Sequence, residues 1–342
     1  MSKLEASFAS IGVGHLGNGV GVAFGRPDWR IKELTGLRRL LKPIVPGVIK
    51  ARLRRALAVP GDWRGVNDLR EVTDDPLEAL YLSHRGSPVV NIPLSHCRGF
   101  EFVGMPFAPE THPFVATLIR FAQSGESDYR TSPLCGYHRS FQPANAAEAL
   151  GLPDAAASPG LAAAKPFAAV LPWWSNFGAF RFELREKAVL IEAESDYSRA
   201  GLQPQDAPTF YNLGPFSKEL GDFEIIRLTR TFRAIQEHGF VRDDSPDGDI
   251  IGSVVVDDGG DFRVVLHGGQ HRAAVAAALG MQSVPVRLFP VMSAPLIHRA
   301  EADRWPHVRS GLFSLDQALT VFDRIFAGVP ASDTSESMKR PS

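Results

Sequence analysis

The residues best suited to chemistry lie together in one short stretch: Gly268, Gly269, Gln270, His271 and Arg272. They follow an apolar run and precede an alanine-rich one, so we predict a strand, a tight turn and a helix that begins at the turn. Paired glycines allow a sharp turn with exposed N–H groups, and a helix start carries partial positive charge. The imidazole and guanidinium groups add further donors. The stretch therefore predicts a binding site for phosphate.

A second set of candidates lies upstream, in residues 223–238, which have helical periodicity. Glu224 and Arg227 are three residues apart and share one face of that predicted helix, and Lys218 precedes it. Phosphoryl transfer depends on Mg²⁺ to offset charge and on a group that orients the nucleophile. We therefore predict Glu224 and His271 as catalytic residues, with Arg227 and Lys218 helping to bind the nucleotide. The alternative for Glu224 and Arg227 is a surface ion pair at helical spacing.

The elements around the glycine turn follow a recognisable order. Residues 250–256 read as a strand, the Asp-Asp-Gly-Gly sequence at 257–260 as its hairpin turn, and residues 284–288 as a later strand. With the turn itself, this order resembles the ParB/sulfiredoxin superfamily, in which a glycine-glycine-X-His-Arg turn cradles nucleotide phosphates. The resemblance covers roughly residues 210–290. It implies a nucleotide-binding α/β domain that holds ATP, ADP or CTP, with Mg²⁺ as an accompanying ion.

Two positions depart from members of that superfamily. Sulfiredoxins carry a reactive cysteine where this chain has Gln270, and an amide cannot replace a thiolate nucleophile, which argues against sulfinic acid reduction. Many other members, including free-serine kinases, carry Asp at the position of Gly268. The leading hypothesis is a nucleotide-dependent phosphotransferase that acts on a small polar acceptor. The alternatives are a non-catalytic, nucleotide-gated binding or scaffold protein, a nucleic-acid binding protein or nuclease, and a structural turn without a ligand.

Length and composition favour a folded chain of two parts. The chain has 342 residues, of which 44% are hydrophobic and 22% charged, enough for two regions with cores of their own. We predict an α/β (mixed α+β) fold with a mixed N-terminal region over residues 1–155 and a ParB/sulfiredoxin-like domain over residues 166–330. A linker at 153–165 separates them, and residues 331–342 form a disordered tail.

Charge is distributed unevenly along the chain. Residues 26–70 contain twelve Lys or Arg and four Asp or Glu, a net charge of +8. This segment predicts contact with an acidic partner, nucleic acid or an anionic membrane surface, with a solvated basic face as the alternative. Residues 206–324 contain sixteen acidic and twelve basic side chains, a net charge of −4, which disfavours DNA binding. The sequence contains no apolar run of about 18 residues, so the predicted location is the cytoplasm.

Several other features have two interpretations. The Gly-X-Gly-X-X-Gly pattern at 12–17 lacks the strand and helix of a dinucleotide site and favours a glycine-rich loop. A polar cluster could clamp an anion or sugar hydroxyls, or form a solvated loop; its members are Tyr129, Arg130, Ser132, Tyr137, His138 and Arg139. Trp173 and Trp174 could stack on a sugar or base, or anchor the core. Cys97 and Cys135 are predicted to be reduced thiols.

The middle of the chain has a coarse secondary-structure pattern. Strands are predicted at 89–92 and 100–103. Helices are predicted at 112–123, 145–151 and 314–326.

Overall fold

The chain folds around a mixed β-sheet in a computed structural model, which describes residues 65–84, 86–152, 154, 157–175, 181–202, 211–242, 248–290 and 292–331. Its eight strands are β1 (Val66–Asp68), β2 (Ser87–Pro93), β3 (Cys97–Gly99), β4 (Met105–Pro106), β5 (Ile250–Val256), β6 (Phe262–Gly268), β7 (Ser283–Leu288) and β8 (Leu296–His298). The strand order is β1-β2-β7-β5-β6-β3-β4, and β8 pairs with β5. Parallel and antiparallel pairs alternate across the sheet. The predicted mixed α/β class is confirmed.

Helices surround this sheet. They are α1 (Pro76–Leu82), α2 (Pro113–Ser124), α3 (Pro133–Ser140), α4 (Ala146–Ala149), α5 (Pro159–Ala163), α6 (Phe182–Arg199), α7 (Lys218–His238), α8 (Gln270–Ala278), α9 (Pro306–Arg309) and α10 (Leu315–Ala327). Shorter 3-10 turns occupy Leu94–His96, Glu101–Val103, Tyr129–Thr131, Pro166–Ala168 and Arg299–Arg304. Within the part of the chain that the structure describes, no helix is long and apolar enough to cross a membrane.

The strands on either side of the predicted linker belong to one sheet. β2 pairs with β7, and β3 pairs with β6, so strands from residues 66–106 lie on both sides of a central block of strands from residues 250–298. Buried apolar side chains from both parts also pack into one cluster that includes Ile92, Phe114 and Val286. Residues 159–163 of the predicted linker form α5. The described residues therefore share one sheet and one main core.

The hairpin and the helix that flank the candidate site form where the sequence predicts them. Asp257 Oδ1 accepts from the N–H groups of Gly259 and Asp261 at 2.9 and 2.8 Å, which closes the turn between β5 and β6. The α7 helix begins at Ser217, whose side chain accepts from Leu220 N–H, and ends at Gly239. Helices at 113–124, 146–149 and 315–327 likewise confirm the coarse pattern.

The predicted strand at 100–103 is wrong. Phe100 and Glu101 have φ values of 55° and 47°, and residues 101–103 form a 3-10 turn. A strand requires strongly negative φ values, so the chain leaves the sheet at Gly99. The apolar residues of this segment, Phe102 and Val103, are fully buried without strand pairing.

The paired tryptophans lie in the core. Trp173 and Trp174 are 3% and 0% exposed, and Trp173 packs edge-on against Trp305 with 5.2 Å between ring centres. Their position favours the anchoring interpretation over a stacking platform. Cys97 and Cys135 are both free thiols, as predicted. The glycine pattern at 12–17, residues 26–64 of the basic segment and residues 332–342 of the tail lie outside the described residues.

Candidate active site

The glycine turn joins β6 to α8 with the geometry that a close backbone approach requires. Gly269 caps α8 in the left-handed region, at φ 76° and ψ 21°. A Cβ at this position would lie 2.8 Å from the Cα of Ile250, so only glycine fits. Gly268 differs: a Cβ there would have just one neighbour within 4 Å, Cβ of Ile251 at 3.9 Å. The space beside Gly268 is therefore open.

Gln270 turns into the protein interior. Its Nε2 donates to the Leu266 carbonyl at 3.0 Å, and its Oε1 accepts from the Phe100 N–H at 3.3 Å. The side chain is 5% exposed. Gln270 thus ties the helix start to β6 and to the corner after β3, while its backbone remains part of the turn.

His271 and Glu224, predicted as catalytic residues, are in direct contact. His271 Nε2 lies 2.6 Å from Glu224 Oε1, and the ring stacks on Phe114 at 5.2 Å between centres. The Glu224 side chain is 3% exposed and that of His271 is 19% exposed. The α7 and α8 helices, which pack together, bring these residues into contact from 47 positions apart in sequence.

Glu224 is held in its ionised form by its neighbours. Burial alone would raise its pKa, but the His271 ring, and after it Arg227, outweigh burial and hold the pKa below its usual value. Arg227 Nη1 donates to the second carboxylate oxygen at 3.0 Å. Both oxygens of Glu224 therefore have a charged or polar partner.

The remaining predicted nucleotide-binding residues lie around this pair. Lys218 pairs with Asp222 one turn along α7, and within the described residues no hydrogen bond joins it to Glu224. Arg272 donates to the Val241 carbonyl, and its guanidinium carbon lies 4.5 Å from the centre of the Phe240 ring. It thus packs on the segment that follows α7.

A cavity opens beside Glu224 and Arg227, between α6 and α7. Its empty volume is about 330 Å³, but most of this is open solvent and gaps between wall atoms, so an occupant larger than a water molecule must displace a wall side chain. The walls are partly aromatic and partly charged; they include Asp196, Tyr197, Tyr211, Phe216 and Phe223. Rings and hydrogen-bonding groups in one concave site are typical of small-molecule binding.

Part of the predicted polar cluster supports a wall of this cavity. His138 Nε2 lies 2.8 Å from the Tyr211 carbonyl, and its Nδ1 lies 2.9 Å from the Tyr129 hydroxyl. A carbonyl only accepts, so Nε2 carries the hydrogen and the Tyr129 hydroxyl donates to Nδ1. Burial lowers the pKa of His138 to about 4 and keeps the ring neutral. Tyr137 donates to the Asn212 carbonyl at 2.7 Å, so α3 fixes the chain at 211–212.

The other members of that cluster have different positions. Ser132 caps α3 by accepting from the Cys135 N–H, and Arg130 and Arg139 are exposed. The buried rings of this cluster therefore support the cavity wall. This structural role differs from both predicted interpretations, a clamp for anions and a solvated loop.

Sequence reasoning missed two buried charges near the cavity, Glu101 and Arg185. Arg185 Nη2 donates to Glu101 Oε2 at 3.3 Å, and both side chains are almost completely buried. No motif marks either residue, because Glu101 lies in an unexpected turn and Arg185 in a helix of low amphipathicity. The only available signal was a charge placed between apolar residues at Phe100-Glu101-Phe102.

The fold and the site define a mixed α/β protein with a glycine-initiated helix and a buried carboxylate–histidine pair beside a cavity. Comparison with family models, with curated proteins and with solved structures found no match.

Proposed function

We propose that this chain is a nucleotide-dependent phosphotransferase that acts on a small polar acceptor. Residues 268–272 would bind the nucleotide phosphates, and the cavity beside Glu224 and Arg227 would receive the acceptor. The observation that carries the proposal is the 2.6 Å contact between His271 and buried Glu224, at the start of a helix that directly follows Gly269. The backbone proposed to bind phosphate and an oriented proton acceptor thus lie next to each other, on the packed helices α8 and α7.

The hydrogen-bond pattern indicates separate roles for Glu224 and His271. Because ionised Glu224 only accepts, His271 Nε2 carries the hydrogen between them. Nδ1 then faces away from Glu224. In the proposed reaction an acceptor in the cavity gives its hydroxyl proton to Glu224, which lines the cavity, while His271 and Arg227 hold the carboxylate in place. The acceptor oxygen forms a bond to the terminal phosphorus while the bond to the nucleotide's bridging oxygen breaks.

The turn also fits the nucleotide for steric and electrostatic reasons. A phosphate can approach the backbone beside Gly268, where no side chain intervenes, and the first N–H groups of α8 point away from the helix toward it. Within the residues that the structure describes, no group of three or more His, Cys, Asp or Glu forms a metal site. Mg²⁺ would therefore enter bound mainly to the nucleotide phosphates.

The aromatic and charged cavity supports an enzyme over a scaffold. A scaffold gated by nucleotide needs the turn but needs neither a buried Glu–His pair nor a second concavity next to it. The two functions differ in one measurable respect, which is whether bound nucleotide turns over.

The test separates binding from turnover. Wild-type protein is screened by thermal shift with ATP, ADP, CTP and GTP, with and without Mg²⁺, and nucleotide hydrolysis is measured with water as the acceptor. Glu224→Gln keeps the side-chain shape but removes the carboxylate that accepts the proton. We expect nucleotide binding within about threefold of wild type and hydrolysis at least 100-fold slower, a typical general-base contribution.

Glu237→Gln is the matched control, because Glu237 lies on the same helix with a side chain 74% exposed. It should leave both binding and hydrolysis unchanged. Nucleotide binding without turnover in the wild type would support the scaffold. Absence of binding by every nucleotide would overturn the proposal.

A further inference from the structure

A buried ion pair lies behind the cavity, between α6 and the turn after β3. The side chains of Arg185 and Glu101 are 1% and 6% exposed, and one hydrogen bond of 3.3 Å joins them. Taking two charges out of water is unfavourable unless further hydrogen bonds complete their shells. A purely structural ion pair is therefore expected to be well satisfied.

Arg185 is not satisfied. Its Nε and Nη1 have no hydrogen-bond partner among the described residues, and its guanidinium carbon lies 5.2 Å from the centre of the Trp174 ring. Buried polar atoms are nearly always paired in folded proteins, so two unpaired atoms on one buried cation indicate a missing partner. A guanidinium group only donates, and its planar fork matches the oxygens of a carboxylate or phosphate.

The backbone that presents Glu101 is strained. Phe100 and Glu101 are consecutive non-glycine residues in the left-handed region, at φ 55° and 47°. Such residues persist only where the surroundings impose them, and they concentrate at functional sites. Here Gln270 Oε1 accepts from the Phe100 N–H at 3.3 Å. The predicted phosphate turn and the Glu101–Arg185 pair are thus mechanically linked.

The pair also lies next to the cavity. Arg185, Glu192 and Asp196 are spaced seven and four residues apart on α6, which places them on one face of the helix, and Asp196 lines the cavity. Tyr211 lines it too, and its hydroxyl is buried near both Glu101 and Glu224, whose charges add to burial in raising its pKa. Tyr211 is therefore a wall residue of the cavity that also lies near the carboxylate of the ion pair.

We propose that Arg185 is the receptor for an oxyanion, a carboxylate or phosphate group, of the molecule that enters this cavity. Nε and Nη1 supply the donors, while Glu101 holds the guanidinium group through Nη2. Arg185 does not line the cavity, so the ligand must displace a wall side chain such as Tyr211 to reach it. That this molecule is the phosphoryl acceptor rests on the proposed function, whereas oxyanion binding at Arg185 does not.

The test titrates the full chain with two probes, acetate and inorganic phosphate, and follows melting temperature at constant ionic strength. Glu101→Gln keeps the shape of the side chain but removes the competing carboxylate, so we expect at least tenfold tighter binding of the preferred probe. The double variant Glu101→Gln with Arg185→Gln replaces both charges with amides and leaves no unpaired buried charge. It should bind that probe at least tenfold more weakly than wild type.

The controls separate this proposal from the proposed function. Arg181→Gln changes an arginine 50% exposed at the start of the same helix and should bind the probes like wild type. Gly268→Ala places a methyl group in the space beside the phosphate turn and leaves Arg185 unchanged. Equal responses of the wild type, Glu101→Gln and the double variant to both probes would overturn the oxyanion site. The proposed phosphate turn is tested separately. If wild type binds nucleotide and Gly268→Ala does not, the phosphate turn is supported even when the oxyanion site is overturned.

Discussion

Lowering the pH should destabilise this protein through a buried neutral histidine, His112. The ring is completely buried at the start of α2, stacks on Phe107 with 4.5 Å between centres, and has no hydrogen-bond partner among the described residues for either nitrogen. Burial, together with the nearby His271, lowers its pKa from 6.5 to about 3. At mildly acidic pH the His112 ring therefore binds a proton in the unfolded chain but stays neutral in the folded chain.

The magnitude follows from the two pKa values. Because the folded pKa is depressed, the contribution to stability is complete above pH 6.5 and is lost as pH falls toward 3. Between pH 7.5 and pH 5, an unfolded-state pKa of 6.5 gives a loss of about 2 kcal/mol from this one ring. Other groups add to the total, so the informative quantity is the difference between wild type and a variant without the ring.

The assay is urea unfolding at pH 7.5 and pH 5 for wild type, His112→Leu and His238→Leu. Leucine fills a similar volume without polar atoms, so His112→Leu should be neutral or stabilising at pH 7.5. It should lose about 2 kcal/mol less than wild type at pH 5. His238→Leu removes a histidine whose side chain is 67% exposed and should follow wild type. Equal losses of stability in wild type and His112→Leu would show that burial of the His112 ring does not make stability depend on pH.

Three further outcomes are expected. Ser217→Ala removes the cap of α7 and should lower the free energy of unfolding by about 1 kcal/mol in urea titrations, whereas an unchanged value would mean that packing alone fixes the helix start. Gly269→Ala combines a left-handed backbone with a clash against Ile250 and should lower the free energy of unfolding by about 1–3 kcal/mol or more. Gly136→Ala, in open space on α3, should leave that free energy unchanged or raise it by about 0.5–1 kcal/mol. In the Cys135→Ser variant, Cys97 should stay unreactive toward a thiol reagent until the protein unfolds, because burial raises its pKa to about 12; rapid reaction of the folded protein would contradict its placement.

Local signals predicted the elements around the candidate site well. The hairpin at 250–268, the end of α7 at Gly239 and the turn at Gly269 each depend on residues whose conformational preferences are strong in any context. The contact between Glu224 and His271 could not be predicted from such local signals. The sequence placed each residue on a helix, but only the packing of α7 against α8 makes the contact.

Long-range arrangement accounts for what the sequence did not predict. The apolar sequence at 100–103 has the composition of a strand, yet tertiary packing forces Phe100 and Glu101 into left-handed conformations. Arg185 resembles any charged residue of a helix until Glu101 and Trp174 are seen beside it. The single sheet built from both ends of the described chain likewise depends on strand pairing across more than 150 residues.

The most direct test of the phosphate turn is the melting temperature of wild type, Gly268→Ala and Gly136→Ala with increasing nucleotide and Mg²⁺. A methyl group at Gly268 meets just one atom of the folded protein within 4 Å, so it should block phosphate without disturbing the fold. Wild type and Gly136→Ala should each gain about 2.7 kcal/mol of stability when the nucleotide concentration is 100 times its dissociation constant. Gly268→Ala should melt normally without nucleotide and gain almost nothing with it. An equal gain in all three proteins would contradict nucleotide binding at this turn.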